Sequence, residues 1–124
     1  MTPRYGEPLF VISVAARLLQ MHPQTLRKYE REGLIAPSRT TGNLRLYSDR
    51  DIERLRQVKY LVDERGLNLA GVQLALDLTR RLRDLRGRIG GDGAAPLRQE
   101  LDAVLAMLGF LEEPGRRSRE SGDD

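Results

Sequence analysis

The sequence predicts a mainly α protein: a winged helix-turn-helix DNA-binding domain with a small β-hairpin wing, followed by C-terminal coiled-coil-like dimerisation helices. Three observations predict this fold class. Two short helical patterns, at residues 13–20 and 22–32, are separated by a brief turn. A turn signal at residues 41–43 lies between two short segments, as in a hairpin. Leucine, isoleucine and valine then recur at near-heptad spacing between residues 74 and 111.

The first helix is expected to follow a short apolar segment, residues 9–12, which could form a small strand. Ser13 is expected to cap this helix, because its hydroxyl can accept a hydrogen bond from an unpaired first-turn amide. His22 is expected to cap the second helix. Pro23 would take the first helical position, where its missing N–H does no harm.

The second helix is the expected recognition helix, since the second helix of this motif can enter a DNA major groove. Leu26 and Tyr29 are expected to point inward, and Gly33 is expected to end the helix. Arginine can bond guanine O6 and N7 together, glutamine can bond adenine, and lysine can neutralise a phosphate. The alternative interpretation is that the polar face of this helix is only a solvent-exposed charged surface. Tyr29 remains a candidate DNA contact, because its hydroxyl could reach a phosphate. The predicted DNA contacts from the two helices are Ser13, Gln24, Thr25, Arg27, Lys28, Tyr29 and Arg31.

The wing is predicted at residues 35–47, with its turn at 41–43. Charged side chains on such a hairpin can contact the flanking phosphate backbone or the minor groove. The alternative is that Arg45 and Tyr47 only pack the hairpin against the helices. The predicted wing contacts are Arg39, Asn43, Arg45 and Tyr47.

Two further helices are predicted after the wing. Ser48 and Asp51 have the spacing of a capping box, and Gly66 is expected to stop the helix that follows. Asn68 is expected to cap the next helix, which contains Val72. The predicted limits are 9–75 for the DNA-binding domain, 76–113 for a helical dimerisation or partner region with a glycine-rich break at 90–93, and 114–124 for a disordered tail.

Two apolar stripes predict the dimer interface. One precedes the glycine-rich break and one follows it, and together they are expected to build an antiparallel homodimer seam. A two-fold dimer would present two recognition helices to a palindromic site. One helix folding back on its own chain is the alternative. The predicted dimerisation residues are Leu74, Leu78, Leu82, Leu85, Ile89, Leu97, Leu101, Val104, Leu108 and Leu111.

Composition narrows the function classes. The net charge is +3, and residues 1–65 carry twelve Lys or Arg against eight Asp or Glu, so the basic excess lies in the first half. The chain has no cysteine and one histidine, which predicts no disulfide, no thiol sensing and no metal site. No paired-carboxylate cleft, nucleophile–base pair or phosphate-binding glycine loop is present in the sequence, so we expect neither an enzyme nor a cofactor. No apolar run approaches the ~20 residues of a membrane span, which predicts a cytoplasmic protein without a membrane partner.

The order of these elements resembles the MerR family of transcription regulators. The resemblance is strongest at residues 23–30, 33–34, 45–48 and 51–52, and it covers roughly residues 10–78. It implies binding to double-stranded DNA, and because the matching wing arginine faces DNA in the family, it favours contact for Arg45. The chain departs from the family by lacking a glycine at residues 19–21 and by the glycine-rich break in the usual dimer helix.

Within the family the sequence is most similar to the HspR branch of heat-shock repressors, on residues 11–16, 21–27 and 68–72. This similarity implies repression of chaperone genes from an inverted repeat, with the DnaK chaperone as co-repressor. Two alternatives remain open. One is a nitrogen regulator of the same family, which would use glutamine synthetase as its partner. The other is an interaction adaptor that has kept the fold and lost DNA binding.

Overall fold

A computed structural model describes residues 7–111, which form five helices and three short strands. The prediction of a mainly α protein with a small wing is confirmed. The predicted tail at 114–124 lies outside the described residues. In chain order the elements are β1 (Pro8–Val11), α1 (Ile12–Leu19), α2 (Pro23–Arg31), β2 (Ser38–Arg39), β3 (Arg45–Ser48), α3 (Asp49–Asp63), α4 (Leu69–Arg88) and α5 (Ala95–Met107).

The start of α1 differs from the prediction. Val11 occupies the N-cap position in extended conformation, and no side chain caps the helix there. Ser13 instead lies inside the first turn, where it is exposed. The reason is that β1 stays paired with β3 as far as Val11, so the chain passes from strand to helix without an intervening cap residue. The expectation that Ser13 caps α1 was therefore wrong.

The turn between α1 and α2 depends on Gln20. This residue has φ +54° and ψ +48°, the left-handed conformation that usually falls to glycine. Gln20 lies within residues 19–21, where the resemblance to the MerR family led us to expect a glycine. The Met21 amide donates to the Ala16 carbonyl at 3.0 Å, which closes the end of α1.

The helix α2, the predicted recognition helix, begins and ends as predicted. The His22 Nδ1 accepts a hydrogen bond from the Gln24 amide at 3.0 Å, and Pro23 begins the helix. Gly33 has φ +81°, and the following Leu34 amide returns to the Tyr29 carbonyl at 2.9 Å. These bonds satisfy backbone groups that the helix itself leaves unpaired.

The predicted hairpin forms the wing, and β1 extends it into a three-stranded antiparallel sheet in the order β1-β3-β2. Phe10 pairs with Tyr47, and Arg39 pairs with Arg45. The turn between β2 and β3 places Asn43 at φ +67°, and the Thr40 amide donates to the Leu44 carbonyl at 2.9 Å. The sheet therefore holds β3 between the strand that precedes α1 and the strand that follows α2.

Two compact units divide the chain between Arg56 and Gln57, within α3. The predicted domain limit at 75/76 falls inside the continuous helix α4 and stays a prediction. The capping box at the start of α3 is confirmed: the Ser48 amide donates to Asp51 Oδ2 at 2.9 Å, and the Asp51 amide donates to Ser48 Oγ at 3.0 Å. The buried side chains of the first unit include Ala15, Leu19, Leu26, Leu34, Ile35, Tyr47, Ile52 and Leu55.

In the second unit, α5 packs against α4. Asn68 Oδ1 accepts from the Gly71 amide at 2.8 Å, as predicted, and the glycine-rich break separates α4 from α5. The side-chain Nε2 of the buried Gln57 donates to Thr79 Oγ1 and to the Leu108 carbonyl, both at 2.9 Å. The buried apolar side chains of this unit are Val58, Leu61, Val72, Ala75, Leu76, Ala94, Leu101 and Leu105.

Candidate DNA-binding surface

The outward face of α2 brings the predicted recognition residues together. Gln24, Arg27, Lys28 and Arg31 are spaced by three and four residues, so they share one side of the helix. Gln24, Lys28 and Arg31 are exposed, while Thr25 and Arg27 are half-buried. Arg27 Nη1 donates to Gln24 Oε1 at 3.3 Å, which steadies the guanidinium beside the first turn. This face presents three cations and an amide, the groups that can bind phosphates and base edges.

Two wing arginines meet a carboxylate of α2. Arg39 Nη2 lies 2.9 Å from Glu30 Oε2, and Arg45 Nε lies 2.5 Å from Glu30 Oε1. Arg39 Nη1 also donates to the Asn43 carbonyl at 3.1 Å. Arg39, Asn43 and Arg45, all predicted contacts, therefore belong to one network that is anchored on α2.

Sequence reasoning missed Glu30. It lies within residues 23–30, which carry part of the family resemblance, but no local rule links it to arginines 9 and 15 residues away. Burial raises the pKa of the Glu30 carboxyl, yet hydrogen bonds from Arg45 and Arg39 outweigh burial and leave its pKa below the ordinary value. Glu30 is therefore ionised near neutral pH and neutralises part of the charge of the wing.

Both tyrosines in the predicted contact set are buried. Tyr47 is 0% exposed and Tyr29 is 7% exposed. Tyr47 packs in the core of the first unit, which corrects its placement among the DNA contacts and agrees with the alternative that it packs the hairpin. Its hydroxyl is buried with no hydrogen-bond partner among the described residues, and burial raises its pKa. Tyr29 likewise has its ring in the core, where the helical spacing had directed it.

The helix α4 has two apolar faces. Val72, Ala75 and Leu76 are buried in the second unit, whereas the predicted seam residues Leu74 and Leu78 remain 69% and 43% exposed. Further along the same predicted stripe, Leu85 is 41% exposed, and Leu82 and Ile89 are half-buried. Contiguous exposed leucines of this kind are typical of an interaction surface.

The stripe on α5 is divided between two roles. Leu101 is 9% exposed and belongs to the core of its own unit, so its assignment to the dimer seam is corrected. Leu97 and Val104 stay 52% and 40% exposed, and Leu111 is 72% exposed. Leu108 is half-buried. One side of α5 therefore packs against its own chain, as in the alternative interpretation. The other side is exposed and remains available to a partner.

Residues 7–111 contain neither a cluster of metal-ligating side chains nor a helix that could span a membrane. No group of three or more His, Asp or Glu side chains in this range is arranged to hold a metal ion. Its helices are too short or too polar to cross a bilayer.

The helix-turn-helix, the wing and the basic face of α2 define the class of protein. Residues 10–79 match the family model described as MerR HTH family regulatory protein, which covers more than half of the chain. The chain therefore belongs to the MerR family of helix-turn-helix transcription regulators, a family of regulators rather than enzymes.

The share of the chain that aligns with individual relatives differs from one relative to the next. The chain is 46% identical over 103 residues to the Streptomyces coelicolor protein named "Putative heat shock protein HspR", covering 79% of this chain and 68% of that one. It is 41% identical over 73 residues to the Bacillus cereus regulator GlnR, covering 59% and 56%. It is 39% identical over 69 residues to the Escherichia coli regulator MlrA, covering 55% and 28%. The chain spans little more than half of GlnR and less than a third of MlrA.

Proposed function

We propose that this protein is a homodimeric transcriptional repressor of heat-shock genes that binds an inverted repeat with DnaK as co-repressor. The observation that carries the proposal is the extent of similarity to the HspR relative. That alignment covers 79% of this chain, against 59% for GlnR. The similarity therefore extends beyond the helix-turn-helix region that all three relatives share with this protein. A repressor of this kind acts on DNA in the cytoplasm.

Recognition is assigned to α2 and support to the wing. Arg27 and Gln24, joined at 3.3 Å, read base edges, while Lys28 and Arg31 neutralise phosphates. Arg39 and Arg45 contact the backbone beside the groove. These contacts are charge-rich, so binding falls as salt rises, with a slope that reports the number of phosphates neutralised.

Replacing Arg27 tests this assignment. The specific duplex is the inverted repeat recovered when the protein selects genomic DNA fragments. Arg27→Ala is expected to weaken binding to this repeat by about 1–3 kcal/mol, roughly 5- to 150-fold, while binding to a shuffled duplex changes much less. Fluorescence anisotropy with both duplexes at several salt concentrations gives the two affinities. Arg98→Ala is the matched control, because Arg98 is an exposed arginine on α5, outside residues 10–79. Equal losses in the two variants would remove Arg27 from base recognition.

The homodimer is assigned to the exposed leucines of α4. Leu78→Glu would place a carboxylate in the apolar seam, and burial of an unpaired charge there opposes association. Sedimentation at micromolar concentration is expected to give a dimer for the wild type and a monomer for this variant. Leu18→Glu is the control, since Leu18 on α1 is 44% exposed against 43% for Leu78. A wild-type monomer, or a dimer that survives Leu78→Glu, contradicts the assignment.

DnaK regulation is the finer part of the proposal and rests on the resemblance to HspR. DnaK would raise operator affinity, and its diversion to misfolded proteins during heat stress would release repression. Binding linkage requires the operator to raise DnaK affinity by the same factor. Both couplings are measured with purified components, and a factor of one, meaning that DnaK leaves operator affinity unchanged, would contradict DnaK co-repression.

Two other functions give different results in the same assays. A nitrogen regulator, suggested by 41% identity to GlnR, would bind specific DNA and respond to glutamine synthetase instead of DnaK. An adaptor that has lost DNA binding would show little salt-sensitive affinity for bulk DNA. The basic face of α2 favours DNA binding over the adaptor.

A further inference from the structure

Glu30 connects the recognition helix to both sides of the wing. Its Oε2 pairs with Arg39 on β2 at 2.9 Å, and its Oε1 pairs with Arg45 on β3 at 2.5 Å. The side chains are 33% exposed for Arg39, 25% for Arg45 and 22% for Glu30. Each carboxylate oxygen thus holds a different strand of the hairpin, so the pair of contacts fixes orientation as well as distance.

The two arginines need a counter-charge. Arg39 and Arg45 are directly opposite each other in the register of β2 and β3. Like charges facing each other across neighbouring strands are destabilising. A carboxylate between them relieves this repulsion and leaves the three side chains with one net positive charge instead of two.

The same network reaches the tip of the wing. Arg39 Nη1 donates to the carbonyl of Asn43, the turn residue at φ +67°. A continuous series of polar contacts therefore runs from Glu30 through Arg39 to Asn43. Glu30 also lies three residues after Arg27, so the carboxylate that orients the wing belongs to the helix that carries the proposed base contact.

We propose that Glu30 is a positioning residue that sets the selectivity of DNA binding by holding the wing in one orientation against α2. The inference rests on the proposed DNA-binding function. With Glu30 in place, Arg39 and Arg45 reach phosphates only where the wing is correctly seated. Without it, the two guanidinium groups are free to follow any phosphate backbone.

The test compares Glu30→Gln with Glu32→Gln. Both substitutions remove one negative charge, but Glu32 is exposed at the C-cap of α2 and lies outside the contacts that hold Arg39 and Arg45. Affinity is measured by anisotropy for the selected inverted repeat and for a shuffled duplex of equal length, from 50 to 200 mM salt. One additional phosphate contact steepens the salt dependence by about 0.9 in logarithmic slope, or roughly 3-fold over this range.

Glu30→Gln is expected to tighten binding to the shuffled duplex by about 3-fold or more at low salt, without an equal gain on the inverted repeat. The ratio of the two affinities therefore falls. Glu32→Gln is expected to shift both affinities together and to keep their ratio. Glu30→Asp retains the charge and is expected to recover part of the ratio. A ratio that is unchanged in Glu30→Gln, or that falls equally in Glu32→Gln, overturns the inference.

A measurement without DNA separates this inference from the proposed function. Hydrogen exchange of the Thr40 amide, which bonds the Leu44 carbonyl at 2.9 Å, reports opening of the wing. Exchange is expected to be faster in Glu30→Gln and unchanged in Glu32→Gln. If the wild type fails to distinguish the two duplexes, the proposed function fails. If exchange at the wing is the same in all variants, the positioning role fails, whatever the DNA result.

Discussion

Gly109 lies where a side chain cannot be added without displacing Tyr60. It follows α5 with φ +84°, and a Cβ built on it would lie 2.6 Å from Tyr60 Cδ2 and 3.3 Å from Cγ and Cε2. Gly66, in the turn before α4, has a similar φ of +68°, but a Cβ there meets nothing within 4 Å among the described residues. An alanine would therefore be strained by the positive φ at both positions, but only at Gly109 would its Cβ also clash with Tyr60.

The magnitudes follow from those two terms. Placing alanine at positive φ costs about 1–2 kcal/mol at either position. Forcing a carbon to within 2.6 Å of the Tyr60 ring at Gly109 adds about 1–3 kcal/mol, because the ring must shift. Alanine also restricts the unfolded chain similarly at both positions, so this effect cancels in the comparison. Gly109→Ala should thus destabilise the protein by about 1–3 kcal/mol more than Gly66→Ala.

Urea unfolding followed by circular dichroism measures the difference. Both variants and the wild type must be compared at one protein concentration, because the proposed dimerisation would make stability depend on concentration. The midpoint is expected to fall in the order wild type, Gly66→Ala, Gly109→Ala, with slopes that stay equal. Equal midpoints for the two variants would show that Tyr60 does not confine Gly109, and the packing described for the end of α5 would be wrong.

Three further predictions concern the first unit. Tyr47→Phe should change stability by less than about 1 kcal/mol, since the hydroxyl it removes is buried and has no hydrogen-bond partner within residues 7–111. A larger loss in thermal unfolding would show that the hydroxyl does form a hydrogen bond. Ser48→Ala should lower the free energy of unfolding by about 0.5–2 kcal/mol in the same assay, because it removes the cap that Ser48 Oγ provides to the Asp51 amide. Unchanged stability of this variant would contradict that hydrogen bond. The pKa of Glu30 is lowered on folding, so the stabilisation that its carboxylate provides is present above the unfolded value of 4.5 and is lost as pH falls through the folded pKa. The melting temperature of the wild type should therefore fall over this acid range, whereas that of Glu30→Gln should lack this fall. Identical profiles of melting temperature against pH in the two proteins would count against the ion pairs.

Features determined by neighbouring residues were predictable from the sequence. The His22 cap, the Ser48–Asp51 capping box and the Asn68 cap each join groups two or three residues apart. Such bonds depend on local backbone geometry that the residue types themselves favour. The hairpin and the order of the helices followed from turn residues and apolar periodicity in the same way.

Features determined by distant residues were not predictable. The cap expected of Ser13 was lost because β1 pairs with β3, a contact from residue 11 to residue 46. The burial of Tyr47 and the pairing of Glu30 with Arg45 likewise depend on which strand lies next to which helix. Leu101 fits a heptad pattern whether it faces a partner or its own chain, since apolar periodicity does not identify what covers a helix.

Selection of genomic DNA fragments tests whether this protein represses heat-shock genes together with DnaK. The purified protein is incubated with the fragments at physiological salt, with and without DnaK, and the bound DNA is sequenced. We expect enrichment of an inverted repeat upstream of chaperone genes, strengthened when DnaK is present. Enrichment at other genes that is indifferent to DnaK, or no enrichment under either condition, would contradict it.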